Sequence, residues 1–447
     1  MVSERSYFIM TFGCQMNEHD SLKIASLMEA EGYCSVEKPE RADCIILNTC
    51  SVRQKPEQKL YSALGRLRRL KVRRPSLVIG VGGCVAQQEG ARLLEKVPHL
   101  DFVFGTHHIH QVPEMVKMAR EGHGRTCEVS FEQDVKSLHH CPGPRQEGVS
   151  SYVTIMQGCN NFCSFCVVPY VRGREQSRSP EEILAEVEDL AARGVREVTL
   201  LGQNVNSYGS DKPGFPTFPE LLRQIHAVEG VWRIRFTTSH PKDLSPQLME
   251  AVATLSKVCE HMHLPVQSGS SKVLRSMNRG YTREEYLDKI YALRALVPGI
   301  ALTTDVIVGF PGESEEDLRQ TLSLLEAVRF DGIYSFKYSS RPMTSASRFP
   351  GHLSEEVKGD RLARVQRLQE EITDSILRGC VGDTEEILVE GPSVRGRGQI
   401  MGRTRTNRIV HASGDGDSLR GELLNVRIER SLKHSLWGRI VQGGGMP

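Results

Sequence analysis

The chain has 447 residues, of which 39% are hydrophobic and 25% charged, and its formal net charge is +2. This length exceeds one ordinary hydrophobic core and predicts two to four domains, and the composition is that of a soluble globular protein. So small a net charge gives little long-range attraction to nucleic acid, so an RNA surface would have to come from local clusters of basic residues.

Targeting signals are not expected at the N-terminus. The segment MVSERSYFIMTF has no basic region followed by a long apolar stretch, which argues against a secretory signal. No apolar run in the sequence approaches the roughly 20 residues of a membrane helix. We therefore expect a cytoplasmic protein without membrane contact. Because the cytoplasm is reducing, the twelve cysteines indicate metal clusters rather than disulfides.

Three predicted strands in the first hundred residues each lead to a cysteine. The strands are Tyr7–Phe12, Cys44–Leu47 and Leu77–Val81, and the strand-end cysteines that follow them are Cys14, Cys50 and Cys84. Predicted helices Asp20–Glu31 and Pro56–Lys71 separate the strands. Because such alternation predicts a parallel sheet, whose strands end at one edge, the three cysteines should converge there.

A second set of cysteines, the triplet, follows a predicted linker at Leu138–Gly148. Cys159, Cys163 and Cys166 form C-x-x-x-C-x-x-C within MQGCNNFCSFCVVPY. Three thiolates at this spacing can ligate three irons of a 4Fe–4S cube, and without a fourth cysteine one iron stays open to another ligand. A zinc site is disfavoured, since zinc usually takes four Cys or His ligands at other spacings.

Six strand-like segments with helical stretches between them follow the linker, fewer than the eight units of a closed β/α barrel, and an active site is expected at the carboxyl ends of such strands. The segments are Tyr152–Met156, Val198–Leu201, Ile234–Thr237, His261–Val266, Leu302–Val308 and Ile333–Tyr338. Polar residues and glycines at three of the strand ends are candidate cofactor contacts: Gly202, Gln203, Asn204, Gln267, Ser268 and Gly309. The alternative for the glycines is that they only permit tight turns.

The pattern changes beyond a predicted helix at Ser354–Leu377. Short strands with Gly-rich turns follow, at Glu386–Glu390, Gln399–Met401, Arg408–His411, Leu423–Glu429 and Leu436–Val441. Such strands can close a small barrel of a kind that often binds nucleic acid. Five arginines are candidate phosphate contacts: Arg395, Arg397, Arg403, Arg405 and Arg408. The alternative is that they only solubilise a small domain.

The triplet resembles the signature of the radical S-adenosylmethionine superfamily. The motifs MTFGCQMNEHDS, LNTCSVRQKPEQKLYSALG, GGCVAQQEG, LLGQNVNSYG, HLPVQSGSSKVL, VIVGFPGESEEDL and GRTRTNRIV resemble those of the tRNA-2-methylthio-N6-dimethylallyladenosine synthases. The resemblance runs from about Thr11 to about Val410. It implies an α/β fold with a parallel N-terminal domain over residues 5–122, a linker over 123–148, a (β/α)6 radical core over 149–378 and a C-terminal TRAM β-barrel over 379–443.

The resemblance also implies two 4Fe–4S clusters, one on the triplet and one on the strand-end cysteines, with S-adenosylmethionine as the further cofactor. The implied substrate is a tRNA that carries a prenylated adenosine next to the anticodon, and a reductant protein would supply electrons. The product would be the 2-methylthio derivative. No residue is expected to act as a general acid or base, and the chain is expected to be a monomer.

The sequence leaves two other functions open. A methylthiotransferase could act on threonylcarbamoyl-adenosine in tRNA or on an aspartate of a ribosomal protein, although LNTCSVR, LGQNVNSY and GRTRTNR favour the prenylated adenosine. A non-enzymatic iron–sulfur regulator that binds RNA would need a cluster but no cofactor pocket. The Gly and Gln residues at the ends of the barrel strands argue against it.

Overall fold

The computed structural model of the chain describes residues 5–51, 54–133, 135–139, 148–394, 396 and 398–441. Within these ranges no helix is both long and apolar enough to cross a membrane.

The N-terminal part is a six-stranded parallel sheet flanked by helices. Its strands, in the spatial order β2-β1-β3-β4-β5-β6, are β1 (Arg5–Thr11), β2 (Tyr33–Ser35), β3 (Cys44–Thr49), β4 (Val78–Gly83), β5 (Phe102–Phe104) and β6 (Thr126–Glu128). The helices are α1 (Gln15–Ala30), α2 (Gln54–Arg73), α3 (Cys84–Glu89), α4 (Ala91–Lys96), α5 (Val112–Glu121) and α6 (Lys136–His139).

Tight packing in the middle of this sheet depends on two glycines of β4. A Cβ on Gly80 would lie 2.1 Å from the ring of Phe102, and one on Gly82 would lie 2.1 Å from the ring of Phe104. Both rings are fully buried and stack on each other. The glycines therefore leave room for these two rings of β5 beside β4, the strand that ends directly before Cys84.

The central part is a partial barrel of six parallel strands. Its strands form two three-stranded sheets, β11-β10-β7 and β12-β13-β14, joined by a bridge between Ile234 and Val258. They are β7 (Ser150–Thr154), β10 (Glu197–Leu201), β11 (Arg233–Phe236), β12 (His261–His263), β13 (Ala301–Val308) and β14 (Gly332–Lys337), and β8 (Met156–Gln157) and β9 (Gln176–Ser177) form a small hairpin beside them.

Helices cover the outside of the partial barrel. They are α7 (Val168–Val171), α8 (Pro180–Ala192), α9 (Phe218–His226), α10 (Pro246–Thr254), α11 (Ser271–Ser276), α12 (Arg283–Leu296), α13 (Glu315–Val328) and α14 (Glu355–Gly379). Local sequence sets their starts: the Ser179 hydroxyl accepts the Glu182 N–H at the start of α8, and Ser314 and Asp317 form a capping box on α13.

The C-terminal part is a closed five-stranded barrel in the order β15-β16-β17-β19-β18. Its strands are β15 (Thr384–Pro392), β16 (Gln399–Thr404), β17 (Ile409–Ser413), β18 (Leu423–Ser431) and β19 (Leu436–Ile440). Inward residues such as Ile387, Val410 and Val426 are fully buried. The predicted fold class, with its parallel sheet, partial barrel and small β-barrel, is therefore confirmed.

The short strands β2 and β5 were not predicted, and two further details differ from the expectation. Strand β6 (Thr126–Glu128) lies in the stretch expected to be linker and extends the N-terminal sheet by pairing with β5. Strand β12 ends at His263, three residues earlier than predicted, although the chain stays beside β13 through a bridge between Gln267 and Val306.

Candidate functional site

The strand-end cysteines follow three neighbouring strands of the N-terminal sheet. Cys50 comes directly after β3 and Cys84 directly after β4, while Cys14 lies three residues beyond β1. Gly13, at φ +139°, passes so close to Cys50 that a Cβ on it would lie 2.3 Å from the Cys50 Cβ and 3.2 Å from its Sγ. The structure therefore brings the loops of Cys14 and Cys50 together at the sheet edge where Cys84 follows β4, and the convergence of all three cysteines stays a prediction.

Asparagines hold the loops that carry these cysteines. The Cys14 thiol donates to Asn17 Oδ1 over 3.3 Å, and Asn17 Nδ2 donates to Asn48 Oδ1 over 3.0 Å and to the Thr49 carbonyl over 2.9 Å. Asn17 and Asn48 are both buried. This network connects the end of β3 to the start of α1 and orients Cys14 toward Cys50.

The environment favours a thiolate at Cys14. Interaction with the Cys50 thiol lowers the pKa of Cys14 to about 6, and the nearby Arg172 guanidinium acts in the same direction. Burial raises the pKa of Cys84, although Arg172 opposes that rise. A buried cation thus lies next to two of the strand-end cysteines.

The triplet lies in the loop between β8 and α7. The Cys159 N–H donates to the Gly173 carbonyl over 3.2 Å and the Cys166 N–H to the Cys163 carbonyl over 2.9 Å. The Asn161 amide donates to Cys159 Sγ over 3.4 Å. Burial raises the pKa of Cys166 to about 12, and the charge of a neighbouring Cys163 thiolate adds to that rise.

Arg279 supplies a buried cation to the triplet. Its Nη1 donates to Cys163 Sγ over 3.3 Å and its Nη2 to the Pro265 carbonyl over 2.6 Å, and its Nε donates to the Tyr281 hydroxyl over 2.9 Å. The sequence reasoning missed Arg279, since it lies more than a hundred residues beyond the triplet. Nothing in its local sequence, MNRGY, relates it to the cysteines.

Helix α7, which follows the triplet, contacts one of the strand-end cysteines. Cys84 packs against Val167, just before that helix, and Val171, at its end. The Thr106 hydroxyl, in the loop after β5, donates to the Val171 carbonyl over 2.8 Å. The N-terminal sheet edge therefore contacts the helix that follows the triplet.

The thiol sets fit iron–sulfur clusters in their donor chemistry. Among the residues that the structure describes, no three His, Cys, Asp or Glu side chains converge on a single metal ion, so neither set is arranged like a structural zinc site. In a 4Fe–4S cube each thiolate binds a different iron, so the thiols need not converge on one point. The cations Arg172 and Arg279 suit the negative charge of such thiolates.

The candidate cofactor residues at the end of β10 are engaged within the chain. A Cβ on Gly202 would lie 2.5 Å from Met156 Cγ, so this glycine is required by packing. Gln203 Oε1 accepts the Gly158 N–H over 2.5 Å. Asn204 Nδ2 donates to Asp243 over 2.7 Å, and its Oδ1 accepts the His240 N–H over 3.1 Å.

The remaining candidates lie beyond β12 and β13. Gln267, at φ +72°, has a buried Oε1 with no hydrogen-bond partner among the described residues. The Ser268 hydroxyl is buried and accepts the Ser270 N–H over 3.2 Å. The Gly309 N–H donates to Glu313 Oε2 over 2.7 Å. Among the six candidates, Gln267 is thus the one with a buried side-chain acceptor that has no partner in the described part of the chain.

Two of the five candidate RNA contacts, Arg405 and Arg408, face the central barrel. Arg405 pairs with Glu260 through two bonds of 2.7 and 2.8 Å. Arg408 pairs with Asp331 over 2.7 Å and lies 3.9 Å from Glu385. Arg403 pairs within the small barrel, with Glu390 over 2.8 Å; Arg395 and Arg397 lie outside the described residues.

Two buried arginines of β11 complete this contact between the barrels. Arg233 Nη1 donates to the Arg403 carbonyl over 2.6 Å, and Arg235 donates to the carbonyls of Thr404 and Arg405 over 2.8 and 2.9 Å. The segment 403–408 therefore docks the small barrel on β11 and the start of β12.

Comparison with known families covers most of the chain. The radical SAM superfamily matches residues 153–325, the family described as uncharacterized protein family UPF0004 matches residues 6–105, and the TRAM domain matches residues 378–441. The radical SAM family implies a 4Fe–4S cluster and S-adenosylmethionine.

Curated relatives match almost the full length. The tRNA-2-methylthio-N6-dimethylallyladenosine synthase of Geobacter metallireducens is 54% identical over 98% of this chain and 99% of its own length. The synthase of the same name from Syntrophus aciditrophicus is 51% identical over 98% of this chain and 95% of its own length.

A solved structure agrees on the fold alone. The radical S-adenosylmethionine methyltransferase TsrM from Kitasatospora setae aligns with a TM-score of 0.56 at 14% identity, covering 89% of this chain and 80% of its own. Because the relatives above match the sequence from the N-terminal sheet to the C-terminal barrel, the chain belongs to the tRNA-2-methylthio-N6-dimethylallyladenosine synthase family of the radical SAM superfamily.

Proposed function

We propose that this chain is a tRNA methylthiotransferase that converts N6-(dimethylallyl)adenosine next to the anticodon to its 2-methylthio derivative. The proposal depends on one observation: about half of the aligned residues are identical to those of synthases of that name, over 98% of the chain. It includes the regions of both cysteine sets and of the C-terminal barrel. The substrates threonylcarbamoyl-adenosine and ribosomal protein aspartate find no such support.

We further propose that the triplet and the strand-end cysteines each hold a 4Fe–4S cluster. When bound, the clusters and S-adenosylmethionine supply the radical that removes hydrogen from C2 of the adenine and the sulfur and methyl group that replace it. The chain contributes the thiolates and the cations Arg172 and Arg279 beside them; Cys50, Cys84 and Cys163 are buried, whereas Cys14 is exposed.

For S-adenosylmethionine, the end of the partial barrel offers one unsatisfied acceptor and several positioning groups. Gln267 Oε1 is buried without a partner among the described residues and can accept from an amino group of the cofactor. Gln203 binds the backbone of Gly158, next to Cys159, and so keeps the triplet loop against β10. Asn204, Ser268, Gly202 and Gly309 shape the strand ends around it.

The TRAM barrel is proposed to bind tRNA. Phosphate contacts by Arg403, Arg405 and Arg408 stay a prediction, and the carboxylates that pair with all three would compete with phosphate. The same proposal includes a reductant protein, because the electrons must come from a partner. It also includes a monomeric state and, because tRNA is the substrate, a cytoplasmic location.

Iron content tests the two-cluster proposal. Anaerobically reconstituted protein should hold about eight irons if both clusters are 4Fe–4S cubes, and Ala at all three triplet positions should remove about half of them. Cys259→Ala is a control, since Cys259 is a buried free cysteine remote from both sets in sequence, and it should keep the full iron content. About four irons in the unchanged protein, with none left in the triplet variant, would contradict two clusters.

Product analysis tests the reaction. With tRNA and a chemical reductant, the unchanged protein should form the 2-methylthio nucleoside, detected by mass spectrometry of digested tRNA. A variant with Ala at all three strand-end cysteines should still cleave S-adenosylmethionine but form no methylthio product. Methylthiolation of threonylcarbamoyl-adenosine in place of the prenylated nucleoside would establish the alternative substrate.

A further inference from the structure

Arg172 lies at the end of α7, and its side chain is 3% exposed. Its Nη2 donates to Asp20 Oδ2 over 2.7 Å, and Asp20, on α1, is also buried. The His107 ring nitrogen Nε2 lies 3.1 Å from the Arg172 carbonyl. Groups of the N-terminal domain thus hold both the backbone and the side chain of the residue that ends α7, the helix after the triplet loop.

The guanidinium keeps an unused donor. Arg172 Nη1 is buried and has no hydrogen-bond partner among the described residues. Leaving a buried donor unsatisfied is destabilising, and more so when the group is charged. Arg172 directly follows Val171, which packs against Cys84, and its partner Asp20 lies on α1, which begins directly after Cys14. The guanidinium therefore lies beside the strand-end cysteines, and the pKa values of Cys84 and Cys14 both respond to its charge.

We infer that Arg172 is a positioning residue for the group that the strand-end cysteines hold, to which its Nη1 donates a hydrogen bond at a sulfur atom. This inference rests on the proposed function, because it requires a sulfur-containing cluster at those cysteines. Hydrogen bonds to the sulfurs and nearby charge set the reduction potential of an iron–sulfur cluster. Arg172 would stabilise the reduced state and would couple the position of the second cluster to the loop that carries the first.

The alternative is that Arg172 serves only to join two domains through its ion pair with Asp20. The ion pair uses Nη2 alone, so two substitutions separate the roles. Arg172→Lys keeps the positive charge for Asp20 but removes the second planar N–H group. Asp20→Asn removes the ion pair but leaves Nη1 in place.

The experiment uses the full chain with Ala at the three triplet positions, so that only the strand-end site can hold iron. Iron content, the EPR spectrum of the reduced cluster and its reduction potential are measured with Arg172 intact, with Arg172→Lys and with Asp20→Asn. We expect Arg172→Lys to lower the potential and change the EPR line shape, or to lose iron, while circular dichroism stays native. Asp20→Asn should not lower the potential, since it removes a negative charge.

Two results would overturn the inference: an unchanged potential and spectrum in Arg172→Lys with full iron content, or the same downward shift or iron loss in both variants. The second result would assign Arg172 to domain joining. If the parent with Arg172 intact binds no iron, the second cluster itself is refuted, and with it both the proposed cofactor set and this inference.

Discussion

The ion pair between Glu313 and Arg361 yields a quantitative prediction. Their side chains are 1% and 7% exposed, and Arg361 Nη1 lies 2.5 Å from Glu313 Oε2. The same oxygen accepts the Gly309 N–H over 2.7 Å, while Arg361 Nε has no partner among the described residues. The carboxylate therefore compensates a buried cation and holds the strand end that is a candidate cofactor contact.

Glu313→Gln should leave the Arg361 cation buried without a counter-charge. Breaking a buried pair by removing one partner costs about 3–5 kcal/mol, and we expect the lower end, about 3 kcal/mol, because the amide oxygen of Gln can still accept one hydrogen bond. The m-value grows with protein size, so for a chain of 447 residues we take at least about 3 kcal/mol/M, and the urea midpoint should fall by roughly 1 M or less. Unfolding of the anaerobically reconstituted protein, followed by circular dichroism, measures this shift.

Asp189→Asn provides the matched control, since Asp189 pairs with Arg193 on the exposed face of α8. Exposed i,i+4 pairs contribute about 0.3–0.5 kcal/mol, so the midpoint should barely move. A second variant, Glu313→Leu with Arg361→Met, should recover part of the loss, because hydrophobic replacement of both partners removes the uncompensated charge. If Glu313→Gln cost no more than Asp189→Asn, the reasoning about the buried pair would be wrong.

Three further predictions follow from other contacts. Gly13→Ala should remove about half of the iron measured after reconstitution, because its Cβ would lie 2.3 Å from the Cys50 Cβ. Arg405→Ala breaks the contact with Glu260 and should weaken the docking free energy of the small barrel by about 1–2 kcal/mol. Limited proteolysis between the barrels should therefore be about 5–30-fold faster. Burial lowers the pKa of His240 to about 2, so the unfolded state takes up a proton below about pH 6.5 and the folded state does not. Going from pH 7 to pH 5 should therefore cost about 2 kcal/mol of stability from this group.

Each of these has its own control. Gly32→Ala, at φ +78° with nothing within 4 Å of its Cβ, should keep the iron, and iron loss there would mean that backbone strain alone explains Gly13→Ala. Arg439→Ala removes an exposed pair with Glu429 and should leave proteolysis unchanged; equal rates in both variants would argue against docking by Arg405. His240→Gln should reduce the pH dependence, and an unaltered dependence would assign it to other groups.

The sequence predicted the parts of the fold that depend on periodic apolar segments. All six barrel strands and the five strands of the small barrel lie where apolar runs and Gly-rich turns placed them. The three-residue strands β2, β5 and β6 were not predicted, because so short a segment has no alternation to detect. Their positions depend on packing, as in the rings of Phe102 and Phe104 over the glycines of β4.

The sequence predicted the parts of the candidate site that follow from parallel strands ending at one edge of a sheet. It did not predict contacts between residues that are far apart in the sequence. The approach of Cys14 to Cys50 followed from parallel strands ending at one edge. Arg279 could not be related to Cys163, 116 residues earlier, because only the tertiary fold brings them together. For the same reason the pairing of Arg405 with Glu260, 145 residues apart, was not anticipated when the arginines of that segment were assigned to phosphate.

The pairing of β1, β3 and β4 limits the insertions and deletions that the chain can tolerate. Neighbouring strands are about 4.8 Å apart, and Thr49 pairs with Gly83, so Cys50 and Cys84 leave the sheet at the same level. One residue inserted within β3 would move Cys50 by about 3.3 Å and reverse the side chains beyond it. A change of one turn at the C-terminal end of α1 or α2, beyond Asn17 and Asp20, would leave all three cysteines in place. Length variation in this domain should therefore be confined to the segments between the strands.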